Sequence, residues 1–303
     1  MPVPVSRFRL GVASSRQFPN VHKDDVYLMA MLERLGVQPV VCVWNDPAVD
    51  WGGFDAVLVR TIWDYFEHYP AFLAWTQMLD RLNAIVINDT NMLRWNSDKR
   101  YLLDLERQGV PIIPTQVVPG RDLHERLPSL PDGEVVIKPT VSGGAWHTVR
   151  GRARTTAFEN ACEPLPKSLD YLVQPFVPEI ASHGEWSLMF FGGAYSHAVL
   201  KRPTVGDYRV QEQHGGSTAP ATPDAGLVDA ANKVLAAVGA LEHQPPDYAR
   251  IDGVVINGQF VLMELEVIEP ALFLAQRPDA AERFARHLAE RLERLACGAA
   301  TRS

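Results

Sequence analysis

Three acidic and two basic side chains stand at spacings that suit phosphate chemistry. The acids lie on two β-patterned segments near the end of the chain, at Asp252, Glu264 and Glu266. The lysines stand far upstream, each in a motif of its own, at Lys99 and Lys138. Carboxylate oxygens are ligands that Mg²⁺ accepts in proteins, and lysine ammonium groups pair with phosphates. The set therefore predicts a site for a magnesium nucleotide, with ATP as the expected nucleotide.

The two acidic segments flank Asn257-Gly258, which is a strong signal for a β-hairpin turn. Alternation along the second segment places Glu264 and Glu266 on the same face. A two-residue turn with regular pairing would set Asp252 against an apolar residue, on the other side from the two glutamates. A three-residue connection or a single bulge would instead pair Asp252 with Glu264 and Arg250 with Glu266. We predict this shifted register.

Acidic residues on a strand often simply face water, so the prediction of a nucleotide site also depends on the two lysines. Lys138 ends the apolar strand 135–138, and the small-residue loop Ser142-Gly143-Gly144 follows it. Such a strand would bring the ammonium group to the rim of a sheet, where a flexible loop can fold over a phosphate. The chain has no G-x-x-x-x-G-K-[ST] loop and no G-x-G-x-x-G fingerprint. A nucleotide would therefore bind in another way.

Composition excludes several classes of protein. The chain has 303 residues, of which 47% are hydrophobic, and a net charge of -7. Its basic residues are scattered, which argues against nucleic acid as the partner. Three separated cysteines without a CxxC pair suggest neither a disulfide framework nor a zinc cluster. We find neither a signal peptide nor an apolar run approaching the ~20 residues of a membrane span, so we expect a cytoplasmic protein without a membrane partner.

Apolar runs alternate with helical patterns in the first third of the chain, which predicts α/β layers. The expected strands there are 39–44, 54–60 and 84–88, with a helix over 70–82. A capped helix over 98–108 marks the end of this alternating pattern, and the later segments are richer in hairpins. We predict an α/β and α+β architecture with three units, residues 1–95, 96–178 and 179–303.

Seven short motifs follow one another in an order that resembles the ATP-grasp superfamily. They are Ser97-Asp98-Lys99, Val136-Ile-Lys-Pro139, Leu172-Val-Gln-Pro-Phe-Val177, Gly184-Glu185, Lys201, Arg250-Ile-Asp252 and Glu264-Leu-Glu266. The resemblance implies an ATP-grasp fold in which ATP lies between two α+β subdomains. The N-terminal unit resembles the pre-ATP-grasp domain, an open parallel sheet that normally precedes them.

The resemblance also implies roles for individual residues. Mg²⁺ would be bound by Asp252, Glu264 and Glu266, although the family usually has Asn at the position of Glu266, so the number of metal ions stays open. ATP contacts are expected from Lys99, Lys138, Ser142, Gly143, Gly144, Gln174, Phe176, Val177, Glu185 and Lys201. Charge at the transferring phosphoryl group would be neutralised by Arg250, Lys138 and Arg209, the last from a loop over 207–217 that could close over the phosphates.

A finer resemblance is carried by five further motifs. They are Arg60-Thr-Ile-Trp-Asp-Tyr65, Trp95-Asn-Ser-Asp-Lys99, Ser196-His-Ala-Val199, Asp207-Tyr-Arg-Val-Gln211 and Glu264-Leu-Glu-Val-Ile-Glu-Pro270. They resemble the bacterial ATP-grasp subgroup that includes the cyclo-ligase of D-cycloserine biosynthesis, which acts on O-ureido-D-serine. The resemblance implies that ATP phosphorylates a carboxylate and that an amine attacks the resulting acyl phosphate.

Substrate contacts are expected from Arg60, Asp64, Ser217 and Glu269, where Glu269 would orient an amine. Trp63 is interpreted as core packing, and His197 and His214 as polar-face residues without an acid or base role. Three alternatives stay open: an amino acid or dipeptide ligase with another small carboxylate substrate, a small-molecule phosphotransferase, and a non-catalytic nucleotide-binding module. A homodimer through the N-terminal unit is also expected.

Overall fold

The structure is a computed structural model that describes residues 7–204 and 215–300. Its N-terminal part contains short apolar strands and the helices that connect them. In chain order these are β1 (Phe8–Ser14), α1 (Val26–Arg34), β2 (Val37–Val43), β3 (Ala56–Thr61), α2 (Tyr69–Arg81), β4 (Val86–Ile87) and α3 (Thr90–Asn96). The four strands form a parallel sheet in the order β2-β1-β3-β4. This confirms the predicted open parallel sheet.

The middle part forms an antiparallel sheet. Its elements are α4 (Tyr101–Arg107), β5 (Gln116–Pro119), α5 (Gly120–Arg126), β6 (Glu134–Pro139), β7 (Val149–Arg152), α6 (Thr156–Cys162) and β8 (Asp170–Pro175). The strand order is β5-β8-β6-β7. Ile137 of β6 packs with Leu123 of α5 and Phe158 of α6 on one face. Because side chains alternate along a strand, Lys138 takes the opposite face.

The last part contains a second antiparallel sheet and two long helices. Its elements are α7 (Glu179–Ser182), β9 (Glu185–Phe191), β10 (Ala194–Arg202), β11 (Ser217–Ala221), α8 (Ala225–Ala240), β12 (Tyr248–Ile256), β13 (Gln259–Glu266) and α9 (Pro278–Ala300). The strand order is β11-β10-β9-β12-β13. Among the described helices, none combines the length and the apolar composition that crossing a membrane requires.

Helix α9 joins the first and last parts of the chain. Phe284 packs in one apolar cluster with Leu10 of β1 and Leu28 of α1, and its ring stacks on Phe191 of β9 at 4.5 Å between centroids. The C-terminal helix therefore completes the core of the N-terminal sheet as well as covering the last sheet. The three sheets fall within residues 1–95, 96–178 and 179–303, and the division into those units stays a prediction.

The helix predicted over 98–108 is the element whose boundary differs most. Ser97 ends the preceding helix α3, which Asp89 caps by accepting hydrogen bonds from the backbone of Asn91 and Met92. The next helix begins only at Tyr101. The backbone N–H of Lys99 donates to Thr140 O at 2.7 Å, so this segment is held against β6 instead of continuing as a helix.

Candidate active site

The bulged hairpin β12–β13 forms the floor of the site. The strands pair Arg250 with Glu266 and Asp252 with Glu264, and the register shifts just after Asp252. Ile256 pairs with Gln259, so the turn itself has two residues, and the single bulge accounts for the predicted register. Of the two routes considered, the bulge is confirmed and the three-residue connection is wrong.

The bulge also reverses which apolar residues face the core. Regular alternation along an unbulged strand would put Phe260 and Leu262 on the same face as the two glutamates. Both instead pack in the cluster that contains Leu265, whereas Met263 packs on the other side with Val261. One inserted residue therefore turns Met263 toward the face that carries the acids. Sequence reasoning did not anticipate Met263 as a wall residue of the site.

Asp252 is the most strongly compensated acid of the site. It is 3% exposed and accepts hydrogen bonds from Arg250 Nε at 3.0 Å, Lys201 Nζ at 3.2 Å and Ser187 Oγ at 2.5 Å. Burial alone would raise the pKa of Asp252, but Arg250 and Lys201 outweigh burial and lower it to about 2. Lys201 also pairs with Glu185 Oε1 at 3.0 Å. The predicted residues Glu185, Lys201, Arg250 and Asp252 thus lie in one network.

The two lysines predicted to contact phosphate approach the same carboxylates. Lys99 Nζ lies 3.0 Å from Glu264 Oε1 and donates to Ser142 O at 2.7 Å. Burial opposes the charge of Glu264, but Lys99 and Lys138 outweigh it and lower the pKa of that carboxyl. Burial lowers the pKa of Lys138 itself, and no ion pair compensates it within the described ranges. Its charge therefore has capacity for an anionic ligand.

The site has excess negative charge around Glu266 and Glu269. Glu266 is paired with Arg250, yet burial, together with the charges of Glu264 and Asp252, raises its pKa to about 7. Burial and the charge of Glu266 raise the pKa of Glu269 to about 8. Raised carboxyl pKa values mean that positive charge is insufficient there.

A divalent cation fits this part of the site. Oxygen atoms of Asp252, Glu264 and Glu266 all lie within 4.8 Å of one another, so one ion could contact all three. Carboxylate oxygens are the ligand type that a hard cation such as Mg²⁺ takes, and the ion would supply the missing positive charge. The metal assignment of these three residues stays a prediction that this geometry supports.

The small-residue loop lies against the N-terminal part of the chain. Ser142 is 6% exposed, and Gly144 has φ +57°, a backbone conformation that glycine adopts without strain. A Cβ atom on Gly143 would lie 2.6 Å from the ring of Phe66, and the ring of Trp146 lies 5.5 Å from that same ring. The described loop is thus docked on Phe66 in a close fit that only glycine permits.

The ATP contacts predicted at Gln174, Phe176 and Val177 lie between the two antiparallel sheets. Gln174 is buried and its Nε2 donates to Thr115 Oγ1 at 2.8 Å. Val177 packs with Val254 in an apolar cluster. The ring of Phe176 is half-buried and faces the guanidinium of Arg150 at 3.5 Å. The side-chain amide of Gln174 is thus bonded within the protein, and the ATP contacts of these three residues stay predictions.

The predicted substrate contacts have different outcomes. Arg60 is 2% exposed, pairs with Asp25 at 3.0 Å and donates to Pro270 O at 2.7 Å. This geometry makes Arg60 a structural anchor, and a contact of Arg60 with substrate stays a prediction. Asp64 is half-buried and accepts from Trp44 Nε1 at 2.8 Å, while Ser217 is exposed at the start of β11 next to the strand of Lys201. Arg209 and most of the 207–217 loop, including His214, lie outside the described residues.

A row of side-chain donors fixes the segment that follows the acids, and no local sequence pattern predicted it. Each backbone carbonyl from 267 to 272 lies within hydrogen-bond distance of a side-chain donor. The pairs are Asn88 with Val267, Tyr248 with Ile268, Trp63 with Glu269, Arg60 with Pro270, Arg250 with Ala271 and His197 with Leu272. We call residues 267–272 the anchored segment. It holds Glu266 and Glu269 at fixed positions because its backbone is bonded at every residue.

His197 belongs to this row, so its assignment to a polar face was wrong. It is 1% exposed, and its Nε2 lies 2.9 Å from Leu272 O. Burial lowers its pKa to about 4, so the imidazole is neutral at pH 7 and donates through Nε2–H. The absence of an acid or base role stays a prediction.

Comparisons with known proteins agree with this arrangement. Residues 10–88 match the family described as D-cycloserine synthetase DcsG, N-terminal domain. The chain is 34% identical over 284 residues to the cycloserine biosynthesis protein DcsG of Streptomyces lavendulae, covering 88% of this chain and 93% of that protein. The crystal structure of D-cycloserine synthetase DcsG matches with a TM-score of 0.84 and 32% identity, over 94% of this chain and 99% of that chain.

A more distant structure supports the fold alone. The D-alanine–D-alanine ligase of Bacillus anthracis complexed with ATP matches with a TM-score of 0.67 at 15% identity, over 95% of this chain and 98% of that chain. The sheet topology, the charged network between the sheets and the close relatives lead to one assignment. The chain belongs to the D-cycloserine synthetase DcsG family and is an ATP-dependent ligase with the ATP-grasp fold.

Proposed function

We propose that this enzyme converts O-ureido-D-serine to D-cycloserine with ATP as the phosphoryl donor. The observation that carries the proposal is the similarity to DcsG along 88% of the chain. The compensated network of Asp252, Arg250 and Lys201 supports it, because such a network suits a transferring phosphoryl group. Asp252, Glu264 and Glu266 would hold Mg²⁺, which would neutralise phosphate charge when ATP is bound.

The chemistry requires three substitutions. A carboxylate oxygen of the substrate attacks the γ-phosphorus, the bond to ADP breaks, and an acyl phosphate forms. The nitrogen bonded to the side-chain oxygen then attacks the acyl carbon, phosphate leaves, and the five-membered ring closes. The carbamoyl group on that nitrogen is transferred to water.

The protein's own residues act through charge placement. Lys138 has no compensating ion pair among the described residues, so its ammonium group is available to a phosphate oxygen. Arg250 is fixed by Asp252, Glu266 and the carbonyl of Ala271, which keeps its guanidinium in place while charge develops. No covalent intermediate with the protein is needed.

Release of ADP and phosphate tests the reaction. Purified enzyme with Mg-ATP would be given O-ureido-D-serine, its L-isomer, or a panel of small amino acids, and products would be identified by mass spectrometry. We expect ADP, phosphate and D-cycloserine in equal amounts with the D-isomer only. An amide product from other amino acids would assign a peptide ligase, and a phosphorylated product without free phosphate would assign a phosphotransferase.

The Lys138→Met variant serves as the control for contaminating ATPases. ADP release that persists in this variant would not come from the site described above. If neither the enzyme nor the variant released ADP, the result would assign a non-catalytic nucleotide-binding module. The homodimer and the cytoplasmic location stay predictions from the sequence.

A further inference from the structure

Three half-buried aromatic side chains meet beside the backbone of Glu269, where the parallel sheet ends. Phe18 follows β1 and Trp63 follows β3, and their rings lie 5.0 Å apart. His22 lies 4.9 Å from the ring of Trp63. The indole Nε1 of Trp63 donates to the backbone oxygen of Glu269 at 2.9 Å. Three aromatic rings and one carboxylate residue therefore share a place at the carboxyl ends of adjacent parallel strands, where open α/β sheets bind ligands.

The carboxylate of Glu269 differs from its neighbours in its partners. Glu264 is paired with Lys99 and Glu266 with Arg250. Across residues 7–204 and 215–297, Glu269 forms no ion pair with a lysine or arginine. The group whose oxygens converge within 4.8 Å contains Asp252, Glu264 and Glu266 and does not include Glu269. Glu269 is thus a fixed, half-buried acid with neither a protein cation nor a place among the converging acids.

We propose that Glu269, with the rings of Trp63, His22 and Phe18, forms the pocket for the α-ammonium group of the amino-acid substrate. The inference rests on the proposed function and names the residues that recognise one end of the substrate. A nearby ammonium group favours the ionised form of the Glu269 carboxyl and pairs with it, and aromatic faces stabilise a cation. Trp63 contributes in two ways, because its ring borders the pocket and its N–H fixes the backbone of Glu269.

The anchored segment makes this pocket rigid. The carbonyls on both sides of Glu269, at Ile268 and Pro270, are bonded by Tyr248 and Arg60. The backbone that carries the carboxylate therefore needs no rearrangement when an ammonium group binds, so this part of the pocket is preorganised. The buried Arg60 is then a positioning residue for the substrate pocket, because it holds the carbonyl next to Glu269.

Binding measurements test this proposal independently of turnover. Calorimetry would compare O-ureido-D-serine with an analogue that lacks only the α-amino group, in the wild type, Glu269→Gln and Trp63→Phe. We expect the wild type to prefer the amino compound by about ten- to hundredfold. Glu269→Gln should bind both compounds with similar, weak affinity. Trp63→Phe, which keeps a ring but removes the N–H donor, should lose part of the preference.

The matched control is Trp95→Phe, because the indole of Trp95 donates to Asp104 and not to the anchored segment. It should retain the wild-type preference. Equal wild-type affinity for the two compounds, or a full preference in Glu269→Gln, would overturn the proposal. So would a loss of Mg-ATP affinity in Glu269→Gln with the preference intact, because that result would assign Glu269 to the metal.

Two further results separate this proposal from the reaction itself. If Glu269→Gln does not fold, the proposal is still tested by the wild type's affinities for the two compounds and by the preference of Trp63→Phe. If the wild type prefers the amino compound but forms no D-cycloserine, the reaction assignment fails and the ammonium pocket stands. If it forms D-cycloserine without that preference, the pocket fails and the reaction stands.

Discussion

Replacing Asp252 by asparagine should both destabilise the free enzyme and abolish its activity. The carboxylate is 3% exposed and lies between Arg250 and Lys201. The variant keeps the size of the side chain but leaves these two buried cations facing each other with less compensation. Buried ion pairs that lose one partner are strongly destabilised, because the remaining charge has no water to solvate it.

The magnitude follows from the pKa of Asp252. A folded-state value of about 2 against an ordinary value of 3.8 corresponds to about 2 kcal/mol of stability at neutral pH. Because the folded pKa is the lower one, this stability is complete above 3.8 and is lost as the pH falls through about 2. The Asp252 carboxylate is ionised throughout the range from about pH 8 to pH 5, so its stabilising contribution should be fully present at neutral pH in the wild type and missing in Asp252→Asn.

Urea unfolding without nucleotide, followed by tryptophan fluorescence, measures this difference. The control is Asp132→Asn, which removes the acid from an ion pair with Arg152 whose side chains are 66% and 65% exposed. Such a pair contributes about 0–1 kcal/mol, so the control should unfold almost as the wild type does. Equal stability of Asp252→Asn and Asp132→Asn would refute the reasoning that Asp252 compensates the two cations.

Three other substitutions address separate parts of the site. Lys138→Met should reduce ATP turnover at least a hundredfold without loss of stability to urea, since Lys138 is half-buried and forms no ion pair among the described residues; a stability loss like that of Asp252→Asn would contradict this. Gly143→Ala should raise the Michaelis constant for ATP, because its Cβ would lie 2.6 Å from Phe66. Combining Gly143→Ala with Phe66→Ala should restore the Michaelis constant. A double variant whose constant stays as high as that of Gly143→Ala would argue against the docking of the loop on Phe66. His197 should lower the free energy of unfolding of the wild type by about 2 kcal/mol between pH 8 and pH 5, because its folded-state pKa of about 4 lies below the ordinary 6.5. Urea unfolding of His197→Asn should lack that component of the pH dependence, and identical pH profiles would refute it.

The acidic hairpin could be predicted because local rules and the required chemistry agree on it. The Asn-Gly turn set the hairpin, and only a shifted register brings Asp252 beside Glu264. The position of the shift could not be read from the sequence. Bulge placement depends on packing against neighbouring strands, and it reversed the orientation of Phe260 and Leu262.

The anchored segment could not be predicted, because its contacts join distant parts of the chain. Arg60 bonds the carbonyl of Pro270, 210 residues away. At the end of a parallel strand an arginine is a reasonable ligand for a carboxylate, and only the tertiary fold shows that a returning segment covers it. His197 was misplaced for the same reason. Polar residues that satisfy backbone carbonyls have no periodic pattern, so neither strand nor helix rules detect them.

The central claim is that ATP activates the substrate carboxylate in the cleft that contains Arg250, Asp252 and Lys138. The most direct test uses O-ureido-D-serine labelled with ¹⁸O in both carboxylate oxygens, with mass analysis of the released phosphate. Transfer through an acyl phosphate predicts one ¹⁸O atom in each phosphate and one in the ring carbonyl of D-cycloserine. Unlabelled phosphate released together with D-cycloserine would contradict the claim, because the phosphoryl group would then have gone to water and not to the carboxylate.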